Sequence, residues 1–268
     1  VVIDDMIDTA GTLCKAAEMM LENGALSVRA MCTHAVLSGQ AYERIQDSKL
    51  LEVIVSDSIP LKDVETVIHL ANIANDPGVE MNPTLSWEVN VLATQQLADR
   101  AVRSGVKQFI FASSGSVYGV KDDPQVTEDL ELVPISAYNK TKMVAERVLM
   151  SYSEDMQIHC IRPATVCGYS PRMRLDVSVN MLTMQALKNG KMTVFGGDQT
   201  RPNIHIDDMV NVYRHFLAKP ELSSGCYNAG FENISILDIA QKVAAKVPAE
   251  ILVSASNDPR SYRQNSDK

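Results

Sequence analysis

The sequence predicts an α/β fold: a doubly wound, mostly parallel sheet with a smaller C-terminal lobe. Short apolar runs alternate with amphipathic helical stretches through the first three fifths of the chain, the pattern of parallel strands joined by crossover helices. Beyond Pro163 the alternation loosens into a polar loop, one more helix and short strands, as expected of a lobe folded back over the sheet edge. At 268 residues the chain can bury a sizeable core.

The elements follow in order. Strands are predicted at Val1–Asp4, Ser27–Cys32, Leu50–Val55, Val64–Leu70, Gln108–Ala112 and Gln157–Ile161. Helical periodicity occupies Thr12–Glu22, Gln40–Gln46, Pro83–Ser104 and Ser136–Tyr152, with a further helix near Val177–Lys188. Short strands are predicted around Met192–Phe195 and Asn203–Ile206. Asp207 and Asp208 then suit the start of a helix better than a metal site, because carboxylates favour the positive end of the helix dipole.

Composition removes several function classes. A net charge of −8 and a pI near 5.2 argue against a sequence-independent grip on nucleic acid or an anionic membrane. The five cysteines (Cys14, Cys32, Cys160, Cys167 and Cys226) are widely spaced and never form CxxC. That points to reduced thiols, no zinc site and a cytoplasmic setting. No apolar stretch is long enough to span a membrane.

The chemistry concentrates in three stretches: FIFASSGSVYG (Phe109–Gly119), SAYNKTKMVAE (Ser136–Glu146) and IRPATVCG (Ile161–Gly168). Tyr138 and Lys142 lie one helical turn apart and share a face. An ammonium beside a phenol favours phenolate and lowers its pKa from about 10, which makes a usable acceptor for an alcohol proton. Ser114 ends the preceding strand, where parallel sheets present ligands, and its hydroxyl can hold the same alcohol. Alone, Tyr-x-x-x-Lys is common on solvated helices. With the Ser-rich strand end upstream and the Arg-Pro turn downstream, it becomes specific.

These three pieces, in this order, resemble the extended short-chain dehydrogenase/reductase family, the NAD-dependent nucleotide-sugar epimerases and dehydratases. The resemblance runs from about Lys62 to Lys268. It implies a Rossmann-like sheet, Ser114, Tyr138 and Lys142 as catalytic residues, NAD as cofactor and a nucleotide-sugar or sugar phosphate as partner, with a homodimer as the assembly. VIHLAN (Val67–Asn72) resembles the fourth-strand end, which implies Leu70 and Ala71 beside the cofactor. WEVNVLAT (Trp87–Thr94) matches the helix carrying a structural Asn, here Asn90. Ala112, Lys142 and Pro163 complete the implied cofactor wall. TRPNIHIDDMV (Thr200–Val210) resembles the substrate-lobe signature, implying a phosphate contact for Arg201. Asn180 and Arg260 fall where family members touch the nucleotide diphosphate, although Arg260 reads equally well as an exposed surface charge. His69 and His205 read as packed or hydrogen-bonded residues rather than bases. Sugar dehydratases of the family carry an acidic pair just after the catalytic Ser/Thr. Here those places hold Gly115 and Ser116, which favours epimerase or simple oxidoreductase chemistry.

One departure stands at the beginning. The family's strand–GxxGxxG–helix, whose glycines admit the NAD pyrophosphate, does not occur in this chain. In its place VVIDDMIDTAGT, SVRAMCTHAVLSGQAYERI and LLEVIVSDSIPL resemble the C-terminal part of ribose-phosphate pyrophosphokinase, the phosphoribosyl diphosphate synthase. That resemblance implies a 5-phosphate cradle at Asp8, Thr9, Ala10, Gly11 and Thr12, with Asp4 and Asp5 near the ribose hydroxyls. Asp57 falls where the replaced segment has an acidic residue near adenine. Carboxylates around the loop repel a pyrophosphate unless Mg2+ intervenes, at about 1 kcal/mol for two charges 4 Å apart in water. NAD affinity is therefore expected to be weakened or lost, with Mg2+ as a candidate ligand of the first loop. The expected organisation is a phosphoribosyl-diphosphate-synthase-like βαβαβ segment over residues 1–61, the rest of the Rossmann-like domain over 62–165 and a substrate-binding lobe over 166–268. The stop at NSDK, where family members continue, makes a truncated lobe the expectation.

Overall fold

The computed structural model describes residues 2–35, 37, 39–55, 61, 63–74, 76–121, 123, 125–171, 173–255 and 264–266. Asp57 and Arg260 lie outside the described residues. The chain forms two compact units, Val1–Leu61 and Lys62–Lys268.

The first unit is a parallel three-stranded sheet of β1 (Val2–Ile7), β2 (Val28–Ala35) and β3 (Leu50–Val55), in that order. Helices α1 (Gly11–Glu22) and α2 (Ala41–Asp47) provide the crossovers. Strand β1 runs on past Asp4 and Asp5 because its ladder to β2 continues from Val2 opposite Ala30 to Ile7 opposite Ala35. Those two acidic residues therefore belong to the strand rather than the turn. Ile7, Ala10, Leu13, Ala30, Cys32 and Ala41 make the small core of this unit.

The second unit holds a parallel four-stranded sheet in the order β10-β6-β5-β4: β10 (Gly225–Ala229), β6 (Gln157–Pro163), β5 (Gln108–Ala112) and β4 (Thr66–His69). Phe109, Ile110 and Phe111 on the central β5 are buried on both faces, which is why this strand reads as a continuous apolar run. Helix α3 (Asp76–Met81) follows β4. The long helix predicted over Pro83–Ser104 is instead three pieces: α4 (Pro83–Trp87), a π turn at Glu88–Leu92 and α5 (Ala93–Arg103). The wide turn carries Asn90, whose buried amide has partners off its own helix, and such bulges are common where a side chain must be re-aimed. Helix α6 (Ala137–Met150) is capped by Ser136, whose hydroxyl accepts from Asn139 N at 3.2 Å.

The rest of this unit adds β7 (Thr165–Cys167), α7 (Ser178–Asn189), β8 (Lys191–Phe195), β9 (Thr200–His205), α8 (Ile206–Ala218), β11 (Glu232–Ser235), α9 (Ile236–Ala244) and β12 (Glu250–Ser254). Strand β9 pairs in parallel with β7 and antiparallel with β11, and β12 pairs in parallel with β8. The architecture is thus α/β, mostly parallel and Rossmann-like. Asp207 and Asp208 do occupy the first turn of α8, and the His205 ring accepts from Asp207 N at 3.3 Å. Among the described residues no helix is long and apolar enough to cross a membrane.

Candidate active site

The carboxyl end of β5 and the buried face of α6 build the site together. Past Ala112 the chain enters a tight 3-10 turn at Gly115–Tyr118 that is capped by Ser114, whose Oγ accepts from Ser116 N at 3.2 Å. Gly115 suits the close packing there: a Cβ would lie 3.0 Å from Pro163 O and 3.2 Å from Gln264 Oε1. Gly119 closes the turn at φ +74°, where a Cβ would meet Val133 O at 2.0 Å.

Helix α6 turns Tyr138, Lys142 and Glu146 inward at successive four-residue steps. Lys142 is 1% exposed; its Nζ donates to Ala112 O at 2.6 Å and lies 4.7 Å from the Phe111 ring centre and 5.9 Å from that of Tyr138. Ser114 hydrogen-bonds the Tyr138 phenol. Ser114 Oγ also lies 2.7 Å from Ser116 Oγ, and Ser116 donates its own proton to Asn139 Oδ1 at 2.6 Å.

The electrostatics differ from the expectation of an acidified phenol. Burial pushes Tyr138 up to about 12, only partly offset by the Arg174 charge and the Ser114 hydrogen bond, while Asp76 adds to the rise. Burial likewise pulls Lys142 down to about 8, with the Glu146 carboxylate and Cys160 acting against the fall. Desolvation outweighs the Tyr–Lys proximity because both groups leave water together. Arg174, which pairs with Asp176 at 2.6 Å, is a cation acting on the phenol that no motif in the sequence announces.

The other predicted residues take various places. Asn90 is 1% exposed and ties the loop after β4 to α6: Oδ1 accepts from Ile73 N at 2.7 Å, and Nδ2 donates to Ile73 O and Thr141 Oγ1, each at 3.1 Å. Leu70 and Ala71 lie exposed just past β4, and Pro163 ends β6 half-buried. The buried Asn180 amide is held by the backbone, with Gly168 N donating to Oδ1 at 3.0 Å and Nδ2 donating to Arg174 O at 2.8 Å. Half-buried Arg201 donates to Thr200 O at 3.2 Å. His69 is a packed residue, bonded to Thr94 Oγ1 at 2.9 Å and set edge-on to Phe109 and tilted against Phe111. A cavity of about 350 Å3 in the C-terminal part, bordered by Val179, Thr183, Ile239 and Val243, has none of Ser114, Tyr138 and Lys142 in its wall.

A buried ion pair accompanies the site. Arg162 holds Glu146 in a fork, Nε to Oε1 at 2.9 Å and Nη2 to Oε2 at 2.8 Å, with the two residues 4% and 2% exposed. Ser113 Oγ donates to Glu146 Oε1, and Arg162 Nη1 donates to Tyr118 Oη at 2.8 Å.

In the first unit Asp8 and Thr9 are exposed, Ala10 is buried with φ +59°, and α1 begins at Gly11 with no side-chain cap, so Thr12 lies in its first turn. Arg44 of α2 donates to Thr9 O at 2.9 Å, which adds a cation beside the turn.

A sequence model described as the NAD dependent epimerase/dehydratase family matches residues 26–230, reaching back across the second strand of the first unit. An uncharacterised UDP-glucose epimerase of Bacillus subtilis is 32% identical over 193 residues, 68% of this chain and 58% of that protein. The ribose-phosphate pyrophosphokinase of Campylobacter jejuni is 62% identical over 63 residues, 24% of this chain and 20% of that protein. The chain thus spans less than two thirds of the length of either relative. The crystal structure of a UDP-glucuronic acid 4-epimerase from Bacillus cereus, in complex with UDP-glucuronic acid and NAD, is 26% identical with a TM-score of 0.67, over 100% of this chain and 90% of that one. By its family match and by the order of its Ser, Tyr and Lys motifs, the chain belongs to the NAD dependent epimerase/dehydratase family.

Proposed function

We propose that the second unit carries a nucleotide-sugar oxidoreductase site of the epimerase type. The observation that supports it most is the meeting of Ser114, Tyr138 and Lys142 at the carboxyl end of β5, with Ser114 bonded to the phenol. In this reading Tyr138 takes the proton of a sugar hydroxyl that Ser114 holds in line. That step needs the phenolate, which burial disfavours and the Arg174 charge favours. Ser116, tied to Asn139, and the side-chain-free Gly115 offer no general acid or base, which favours epimerisation over dehydration. NAD, when bound, supplies the hydride acceptor. The residues of the second unit fit its nicotinamide end: Lys142 reaches the Ala112 carbonyl, and just past β4 the buried Asn72 Oδ1 has no partner among the described residues. The first unit does not fit its pyrophosphate, since its turn has one glycine, a left-handed Ala10 and the carboxylate of Asp8.

A second reading concerns that turn. Its segment's 62% identity to a ribose-phosphate pyrophosphokinase, the uncapped start of α1 and the neighbouring Arg44 favour a ribose-phosphate seat standing where the family keeps its dinucleotide loop. Fluorescence titration with NADH, followed by turnover assays with UDP-sugars and NAD+, tests the first reading. Saturable binding and a keto-sugar or epimer product, lost in Tyr138→Phe, is the expected result. No dinucleotide binding at millimolar concentration overturns it and leaves a folded fusion without turnover.

A further inference from the structure

We propose that Glu146 and Arg162 form a clamp that positions Ser114 and Lys142 for the chemistry without touching substrate. The proposal rests on the reading of Ser114, Tyr138 and Lys142 as the reacting set, and its test separates the two.

The geometry is a two-point attachment of one strand end to one helix face. Lys142 donates to Ala112 O, and one helical turn on, Glu146 accepts from the hydroxyl of Ser113. The last strand residue and the one after it are thus held by helix residues four apart, and Ser114 is the next residue of the chain. Ser113 is 4% exposed, and its amide donates to Ile161 O at 2.8 Å, which fixes the same point to the neighbouring β6. Arg162 sits on β6 one residue further along and grips both oxygens of Glu146, so the carboxylate has one orientation available. The grip is itself braced. Arg162 Nη1 bonds Tyr118 at the far end of the 3-10 turn, Tyr118 Oη donates to Asn228 Oδ1 of β10 at 2.8 Å, and Gln264 Nε2 donates to Arg162 O at 2.7 Å.

A buried ion pair of this kind is poor evidence of net stabilisation, because desolvation offsets the attraction. It can hold a geometry, and here the geometry it holds includes both ends of the turn bearing Ser114. Glu146 also sets the charge around Lys142. The ionisable groups facing that ammonium are Tyr138 and Glu146 on its own helix, His69 on β4 and Cys160 on β6. Arg162 on β6 and Cys226 on β10 face Glu146, the thiol donating to Oε2 at 3.7 Å. Of the groups around Lys142, Glu146 is the carboxylate that favours its protonated form.

The test uses two substitutions in the full chain. Glu146→Gln keeps the shape and removes the charge; Ser113→Ala keeps the ion pair and removes the strand attachment. The first readout needs no activity: the Nζ resonance of Lys142 in lysine-labelled protein, assigned by its loss in Lys142→Arg, followed against pH. Glu146→Gln should move its titration midpoint to lower pH by about one unit, and Ser113→Ala should leave it in place while Ser113 amide exchange speeds at least about tenfold. The second readout is turnover with a UDP-sugar. Both variants should lose about tenfold to a hundredfold in kcat with KM within about twofold of the parent. If the parent chain turns nothing over, the functional reading fails and the resonance and exchange data alone judge the clamp. Should Lys142 titrate alike in parent and Glu146→Gln, or Ser113 exchange be unchanged in Ser113→Ala, the clamp is overturned. The same follows if, with an active parent, the variants raise KM rather than lower kcat. If Glu146→Gln does not fold, Ser113→Ala decides by exchange and by the kcat against KM split.

Discussion

The two units keep their candidate functional groups in opposite surroundings. In the second, Lys142, Glu146 and Arg162 are each under 5% exposed, and every one is bonded to a different element of the fold. In the first, Asp8, Thr9 and Thr12 stand exposed on a turn whose only buried member is Ala10. A site made of buried polar groups shares its interactions with the core, so altering it alters folding. A site made of exposed groups on a helix start is separable from the fold beneath it. The second unit should therefore report active-site mutations as stability changes, and the first should report them only as ligand binding.

The largest effect expected from that contrast is at Arg162. Arg162→Met keeps volume and removes the charge, leaving the Glu146 carboxylate buried without its cation. Breaking such a pair costs roughly 3–5 kcal/mol. Urea unfolding followed by residue-resolved amide exchange should place the loss in the second unit, with exchange in β1, β2 and β3 unchanged. Equal acceleration in both units would break the comparison.

Lys142 sharpens it through pH. Its native pKa, lowered by burial to about 8 against an ordinary 10.5, means that the unfolded chain binds the extra proton between those values. Stability from this group thus rises with pH from about 8 to 10.5, and below pH 8 the native state bears the full cost of a buried ammonium. A displacement of that size corresponds to the order of 3 kcal/mol. In Lys142→Met the rise should vanish, so the stability difference between variant and parent should narrow by that amount from pH 8 to 10.5. A constant difference across the window would mean that Lys142 is not desolvated in the native state.

The same contrast explains what was legible beforehand. Tyr138 and Lys142 were readable because helical periodicity alone puts them on one face, and Ser114 because an apolar strand ends immediately before it. Asn90 was recognisable as a residue, but its reach to Ile73 and Thr141 depends on a π turn that no propensity marks within an otherwise regular helix. Glu146 and Arg162 were missed: their fork joins a helix to a strand 16 positions away, and the only hint was a carboxylate one turn past Lys142 on a face that reads as buried. Arg174 lies in the loop ahead of α7, where period says nothing about direction. The phenol acidity was misjudged for a related reason, since a sequence gives proximity along a helix but not the loss of water that dominates Tyr138.

The smallest stability effect, and the cleanest separation of site from fold, is expected in the first turn. Asp8→Asn changes an exposed side chain, and Thr12→Val removes a hydroxyl from an exposed position in the first turn of α1. Neither touches the core of Ile7, Ala10 and Leu13, so each should shift unfolding by no more than about 0.5 kcal/mol. Calorimetric titration of the parent with ribose 5-phosphate and Mg2+ should show saturation, because the first backbone N–H groups of a helix have no intrahelical partners and attract an anion to the dipole's positive end, here at Gly11 and Thr12. Thr12→Val should weaken that binding about tenfold, by loss of a hydrogen bond to a charged group. Asp8→Asn should remove its Mg2+ dependence, since the carboxylate is what makes a phosphate need a cation there. Ribose 5-phosphate binding that neither substitution changes would show that the turn is not its seat.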